Sequence, residues 1–319
     1  MGKIDAIVKD YMSDSEVFAD AFNQYLFKGE RIIDPGRLKP LDAEEIIVPY
    51  GTKGAGVPVQ RERDALKALV AKEDENVIYL LLGGEYQSEI HYAMPVKNQL
   101  YDAIQYARQV EKAAASYRGK NTDAGKVTSG EFLSGFHKED KLIPVITLTI
   151  YFGAGEWDAP KSLRDMLPKL PENILQFVQD YRINLIAPSE TPDEEIDRFH
   201  THLREVLKYI KYSVDDEKLE KMVQEDAAYK AVDKKTARMI KAVTGDDLDV
   251  ELQGEVVDVC KAHEEMKRKA AEKAAKKTEI SIAERMLKAQ KYNAAEIAEM
   301  TGLQMDEVEK IEGQLFAMA

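Results

Sequence analysis

The sequence predicts an α/β chain: a mixed β-sheet flanked by helices, followed by a helical C-terminal extension. Apolar runs of strand length, bounded by Gly, Pro and Asp, recur up to about residue 190. Segments with apolar residues at helical spacing lie between them. Beyond about residue 215 the strand signals stop, and Ala, Lys and Glu dominate. The expected organisation is an α/β domain over 1–215, a helical connector over 216–280 and a small helix-turn-helix-like tail over 281–319.

Taken in order, "DSEVFADAFNQYLF" (14–27) sets Val17, Phe18, Ala21, Phe22, Tyr25 and Leu26 on one helical face behind an Asp/Ser start. A loop rich in Pro and Gly follows, "IDPGRLKPLD" and "VPYGTKGAGVPV". Residues 61–87 then read as two strands joined by a polar turn from Lys72 to Asn76, although "ALKALV" also suits a helix. A helix is expected over 94–113, with Val96, Leu100, Ile104, Ala107 and Val110 as its apolar stripe and Pro95 in its first turn. Residues 116–131 read as a loop. "KLIPVITLTIYFGAG" and "DYRINLIAPSE" read as strands, and 191–213 as a helix with Thr191 as N-cap. The charged run 261–279 lacks a sustained apolar heptad, so a solvated connector helix is expected rather than a coiled coil. The tail divides into three short helices, with Asn293 and Gly302 at the boundaries.

Composition narrows the function. A net charge of −13 argues against wrapping nucleic acid through bulk electrostatics, yet a carboxylate metal site is itself acidic and the cation it holds reverses the local field. Cys260 is the single cysteine, which excludes an internal disulfide and a thiolate zinc cluster and fits a reducing cytoplasm. No apolar window is long enough to span a bilayer, and "MGKIDAIVKDYMSD" has neither the apolar run of a secretory signal nor the Ser or Thr at position 6 of a myristoylation signal. The expectation is a cytoplasmic protein with no membrane association.

The segment "NVIYLLLGGEYQSEIHY" (76–92) ends an apolar strand on two glycines and then presents Glu85 and Gln87 on one face. A hairpin turn centred between Asp74 and Glu75 sets Asp64 opposite Glu85, gathering two carboxylates and one carboxamide at one end of the sheet. Such a set suits a hard divalent cation such as Mg²⁺, which acidifies a water and stabilises charge on a phosphodiester. Gln87 can orient that water but cannot supply positive charge, and Gly83 with Gly84 would admit a phosphate or a neighbouring strand. Taken alone, an acid and an amide at a strand end more often mark a solvated strand terminus than a site.

"RERDALKALV", "YLLLGGEYQSEIHYAMPVKNQLYDAIQYA", "KLIPVITLTIYFGAGEWD" and "DYRINLIAPSE", in that order, resemble the recombination-promoting nuclease/putative transposase (Rpn) family of the PD-(D/E)XK nuclease superfamily. The likeness covers most of residues 15–215 and continues into the small C-terminal helices. It implies a Mg²⁺-dependent DNA endonuclease, with Mn²⁺ as a substitute and a link to recombination or mobile elements. By the same likeness Asp64 and Glu85 hold the metal, and Gln87 completes an E-x-Q variant of the superfamily's E-x-K. Lys97 and Tyr101 fall on the following helix as phosphate contacts, the family commonly carrying Arg at the first of these, and Asp20 is an additional acid.

The remaining candidates carry less. His200 and His202 are two apart on an expected helix and point in different directions, so solvent roles are expected. Glu89 and His91 flank the proposed site, His137 has no partner nearby in sequence, and Trp157 reads as a packing anchor. No nucleotide-binding glycine loop or nucleophile elbow is present. From Asn293 onward six acids face one base, so the tail is expected to mediate protein contacts or homo-oligomerisation rather than press on phosphates. A fold of this kind that has lost its chemistry, serving as a nucleic-acid-binding or protein-interaction module, is the rival expectation.

Overall fold

A computed structural model describes residues 2–41, 44–47, 59–62, 64–73, 76–118, 127–250 and 254–317. Helices α1 (Lys3–Ser13) and α2 (Ser15–Phe27) open the chain, separated by Asp14, whose carboxylate accepts from Glu16 N. Strands β1 (Leu38–Pro40), β2 (Glu44–Ile47), β3 (Val59–Glu62), β4 (Ala65–Glu73) and β5 (Asn76–Gln87) follow, then α3 (Met94–Arg118) and the short α4 (Ser129–Ser134). Next come β6 (Val145–Tyr151), α5 (Glu172–Leu175), β7 (Asn184–Ile186), α6 (Asp193–Ile196), α7 (Leu203–Tyr212) and α8 (Asp216–Glu225). The chain continues through β8 (Val232–Asp233), α9 (Lys234–Thr244), β9 (Val256–Val257), α10 (Val259–Ala289), α11 (Ala294–Thr301) and α12 (Met305–Ala317).

The main sheet has strand order β1-β4-β5-β6-β7. Strand β4 pairs antiparallel with both β1 and β5, whereas β5–β6 and β6–β7 are parallel, so the sheet is mixed as expected. The 65–70 segment is strand, resolving the helix alternative. Its register runs from Ala65↔Gly84 to Glu73↔Asn76, the pairing expected from the hairpin; the turn residues Asp74 and Glu75 lie outside the described residues.

Strand alternation gives the sheet two chemically distinct faces. Leu69, Leu82, Tyr86, Leu148, Ile150 and Phe152 belong to the main apolar core, which also takes Phe18 and Phe22 of α2 and Leu203, Val206 and Ile210 of α7. The opposite face carries Glu85, Thr147 and Thr149 against α3. Asn98 Nδ2 donates to Thr149 Oγ1 at 2.9 Å, Thr147 Oγ1 donates to Asp102 Oδ1 at 2.5 Å, and Tyr181 Oη donates to Asp102 Oδ2 at 2.6 Å. Hydrogen bonding offsets the desolvation of these buried groups. Helix α3 therefore turns Asn98, Asp102 and Gln105 inward, while Val96, placed by periodicity on an apolar stripe, is exposed. Periodicity misassigned this face because the sheet surface it meets is polar.

Gly84 lies on the core face, where a β-carbon would collide with the phenol of Tyr86 folded back over it. The space at Gly84 is taken by the side chain two residues further on, where the expectation was a phosphate or a neighbouring strand.

Three further features depart from expectation. Helix α1 forms where no element was predicted, burying Val8, Tyr11 and Met12. The helix expected over 191–213 is two helices: α6 begins after Pro192, and Thr191 Oγ1 instead donates to Ala187 O at 2.8 Å. Leu219, Val223, Tyr229, Ile240, Val257 and Ala262 pack into the same core as the sheet, so the segment expected as a connector from residue 216 begins inside that core. In the tail the boundaries fall at Asn293 and Gly302 as expected, Asn293 and Glu296 forming a capping box and Gly302 at φ +78° ending α11. The first of the three expected short helices is instead the end of the 31-residue α10, and Ala283 and Leu287 of α10 share a separate core with Ile297, Leu303 and Val308. Among the described residues no helix is long and apolar enough to cross a membrane.

Candidate functional site

Asp64 sits one step before β4, and continuing the register past Ala65↔Gly84 sets it against Glu85. Its carboxylate faces two ways: Oδ2 accepts from the Tyr86 backbone N at 2.8 Å, and Oδ1 lies 3.0 Å from Lys9 Nζ of α1. Glu85 is fully buried on β5, its Oε2 2.7 Å from Lys97 Nζ of α3. Each acid from the sheet is thus matched by an ammonium from a different helix. Lys97 is about a quarter exposed and lies 5.8 Å from the centre of the buried Tyr101 ring.

These groups meet at a cavity of about 310 Å³ lined by Asp5, Lys9, Asp64, Gln87, Glu89 and Lys97, together with Tyr86 and Ser88. Glu85 is not among the lining residues and joins the cavity through Lys97. Gln87 lies at the wall with its Nε2 donating to Tyr86 O at 3.0 Å. Burial, and after it the nearby charges of Asp64 and Glu85, push the Tyr86 hydroxyl well above the usual phenol range, so it stays a neutral core group. Of the two residues expected to flank the site, Glu89 lines the cavity and His91 lies outside the lining; burial and then Lys97 hold the His91 imidazole below the ordinary range, and its Nδ1 accepts from Ala93 N at 3.2 Å.

Other predicted residues have duties away from the cavity. Asp20 is buried, and its carboxylate accepts from His200 N, Thr201 N and Thr201 Oγ1, the two Thr201 bonds both 2.7 Å. It thereby holds the break between α6 and α7, and it is absent from the cavity lining. His200 Nε2 is 2.9 Å from Gly29 O and His202 Nδ1 is 3.1 Å from Glu205 Oε2, so neither is left to solvent alone. His137 stacks on Tyr117 at 3.6 Å, and Trp157 packs edge-on to Tyr151 at 5.4 Å as the expected anchor.

Two carboxylates and an amide are hard donors of the kind Mg²⁺ takes together with water and phosphate oxygens. Among the described residues no group of three or more His, Cys, Asp or Glu is arranged to hold a metal ion, so a cation here would take Asp64 with oxygens from solvent or substrate, and would reach Glu85 only in place of Lys97. Sequence reasoning missed Lys9. Its signal was the Asp5 and Lys9 pair at i, i+4, which turns one face of α1 to the cavity once α1 is recognised as a helix.

Residues 131–239 match a family model described as "Putative transposase, YhgA-like", a family of the Rpn-type group of PD-(D/E)XK proteins, which is the group the sequence resembles. The matched span runs from α4 through β6, β7, α7 and α8 into α9, and begins beyond Asp64, Glu85 and Gln87. Comparison with curated proteins and with solved structures finds no match.

Proposed function

On the premise of that family match, we propose that the chain is a nuclease of the recombination and transposition type: a Mg²⁺-dependent DNA endonuclease on a PD-(D/E)XK-like fold. The observation that carries the reading is the convergence of Asp64, Gln87 and the Glu85–Lys97 pair on one cavity at the end of the sheet. In this reading Asp64 and Glu85 hold the cation and Gln87 orients the attacking water. When bound, the cation would acidify that water and stabilise charge on the phosphodiester. Lys97, kept near Glu85 by its ion pair and backed by the Tyr101 ring, supplies the positive charge toward a phosphate that Gln87 lacks. The Tyr86 N–H fixes the direction of the Asp64 carboxylate, so the oxygen that faces Lys9 is oriented before anything binds.

Cleavage of supercoiled plasmid tests the reading. Asp64→Ala and Glu85→Ala are expected to leave a folded protein with no cleavage above background, and chelation of Mg²⁺ to abolish wild-type cleavage. Unchanged cleavage by both variants removes this site from consideration.

A second reading is a chemically inactive module on the same fold that binds nucleic acid or protein. It is favoured by the lysine on each carboxylate, which balances the site without a metal. Isothermal titration separates the two: no uptake of Mg²⁺ or Mn²⁺ dependent on Asp64 and Glu85 selects the second.

A further inference from the structure

We propose that α1 is a working part of this site, with Lys9 as an exchangeable cation: it occupies Asp64 until a divalent cation takes that carboxylate, and then holds a phosphate oxygen of bound nucleic acid. The inference rests on the metal-dependent reading above and assigns a role to a helix outside the family match.

Helix α1 is fixed at the cavity mouth from both sides. Val8, Tyr11 and Met12 anchor it in the main core, while Asp5 Oδ1 accepts from Ser88 Oγ at 3.2 Å just past the end of β5. With the backbone held, the part of Lys9 free to move is its flexible four-carbon stem. Asp64 is asymmetric in the complementary sense. One oxygen is tied to the rigid Tyr86 N–H, whereas the other meets the ammonium at 3.0 Å and is open to exchange.

Charge decides the direction of exchange. A divalent ion at Asp64 carries twice the charge of an ammonium, and two cations cannot share one carboxylate oxygen without strong repulsion in a partly shielded site. The Lys9 side chain is 23% exposed, so it has solvent to move into, and the cavity it enters is already lined by Lys97. With the divalent cation on Asp64, the two ammonium groups can hold a phosphodiester against the remaining carboxylates of the lining, Asp5 and Glu89, each acting as a compact point charge.

Titration of Mn²⁺ into the full-length chain, read by calorimetry, tests the exchange. Lys9→Met removes the competitor and is expected to tighten Mn²⁺ binding roughly fivefold, the measured scale of a partly exposed ion pair. Lys9→Arg keeps the competitor and is expected to bind as wild type does, which separates charge from any effect of altering α1. Fluorescence anisotropy with a short phosphorothioate-linked DNA duplex at saturating Mn²⁺ is expected to show weaker binding by Lys9→Met than by wild type. Equal Mn²⁺ affinities of wild type and Lys9→Met overturn the exchange alone, and undiminished duplex binding by Lys9→Met overturns the phosphate role. Uptake by Lys9→Met but not wild type supports the exchange in its strongest form. No uptake by either sinks the metal-dependent reading together with this inference.

Discussion

Replacing Lys97 by Met removes the ammonium from a carboxylate that has no exposed surface. At 2.7 Å and an effective dielectric constant of about 20, the gross attraction is about 6 kcal/mol. Burying Glu85 offsets much of that in the intact pair, so the informative quantity is the cost of stranding the acid. Removing one partner of a fully buried pair costs about 3–5 kcal/mol. Because about a quarter of the Lys97 side chain reaches solvent, water takes up part of the vacated space, and about 2–3 kcal/mol is expected here. Glu85→Gln is milder: the ammonium left behind swings into solvent, costing about 1 kcal/mol. The double variant should lie close to Glu85→Gln, giving a coupling of about 2–3 kcal/mol. Urea unfolding followed by Trp157, the single tryptophan, reports this directly, because its indole packs on Tyr151 against Met94, where α3 begins. A Lys97→Met midpoint equal to wild type, or strict additivity in the double variant, refutes the claim that this pair holds α3 to the sheet.

The remaining expectations separate structural from chemical roles. Asp20→Ala orphans three donors around a buried carboxylate and should destabilise by about 2–4 kcal/mol while leaving Mn²⁺ uptake unchanged; weakened uptake in a chain that still folds would make Asp20 an acid of the site. His202 is held above its ordinary value of 6.5 first by its hydrogen bond to Glu205 and then by the charges of Glu205 and Asp233, against burial and Arg204. Its folded state therefore binds the proton more tightly, so this contribution to stability is fully present below pH 6.5 and is lost as the pH rises through the folded value. His202→Gln should flatten the melting temperature against pH above 6.5, and an unchanged slope would refute the assignment. Deleting residues 281–319 removes a tail whose Met300 and Met305 are exposed; if that tail self-associates, light scattering should show a lower mass for the truncated chain with plasmid cleavage retained.

The hairpin was legible because both of its constraints are local. A polar turn fixes where the strands fold back, and period-two alternation fixes the faces, so Asp64 could be set against Glu85 before any coordinates. Helix α1 was legible in principle, since Ile4, Ile7, Val8, Tyr11 and Met12 repeat at helical spacing; reading the segment only for a targeting signal, against which its interspersed charges count, passes over that repeat, and the core that α1 joins comes from α2, α7 and α9. The break between α6 and α7 was not legible. Continuous helical periodicity ran through 191–213, but Asp20 captures the amides of His200 and Thr201, a contact 180 residues away along the chain. Lys97 was expected to meet a phosphate; that it also neutralises Glu85 needed the inward polar face of α3, which a search for apolar stripes cannot find.

That polar face also explains why a site lies at this end of the sheet. On the core side, Tyr86 and Phe152 pack among apolar neighbours, and the buried ammonium of Lys67 is accommodated there by Ser13 O and Ser15 Oγ, from the junction of α1 and α2, far from the cavity end of β5. On the α3 side, the stripe of Lys97, Asn98, Tyr101, Asp102 and Gln105 meets Glu85, Thr147 and Thr149, so a buried acid is tolerated because hydrogen-bonding groups already line its surroundings. Asp64 projects from the strand end where this layer opens to solvent, so a ligand entering there meets the carboxylates of Asp5, Asp64 and Glu89 and two flexible ammonium groups, Lys9 and Lys97. A net charge of −13 and a lining in which three carboxylates face two ammonium groups both oppose a bare polyanion, so nucleic-acid binding here requires the divalent cation of the proposed function, whose two positive charges reverse the local balance.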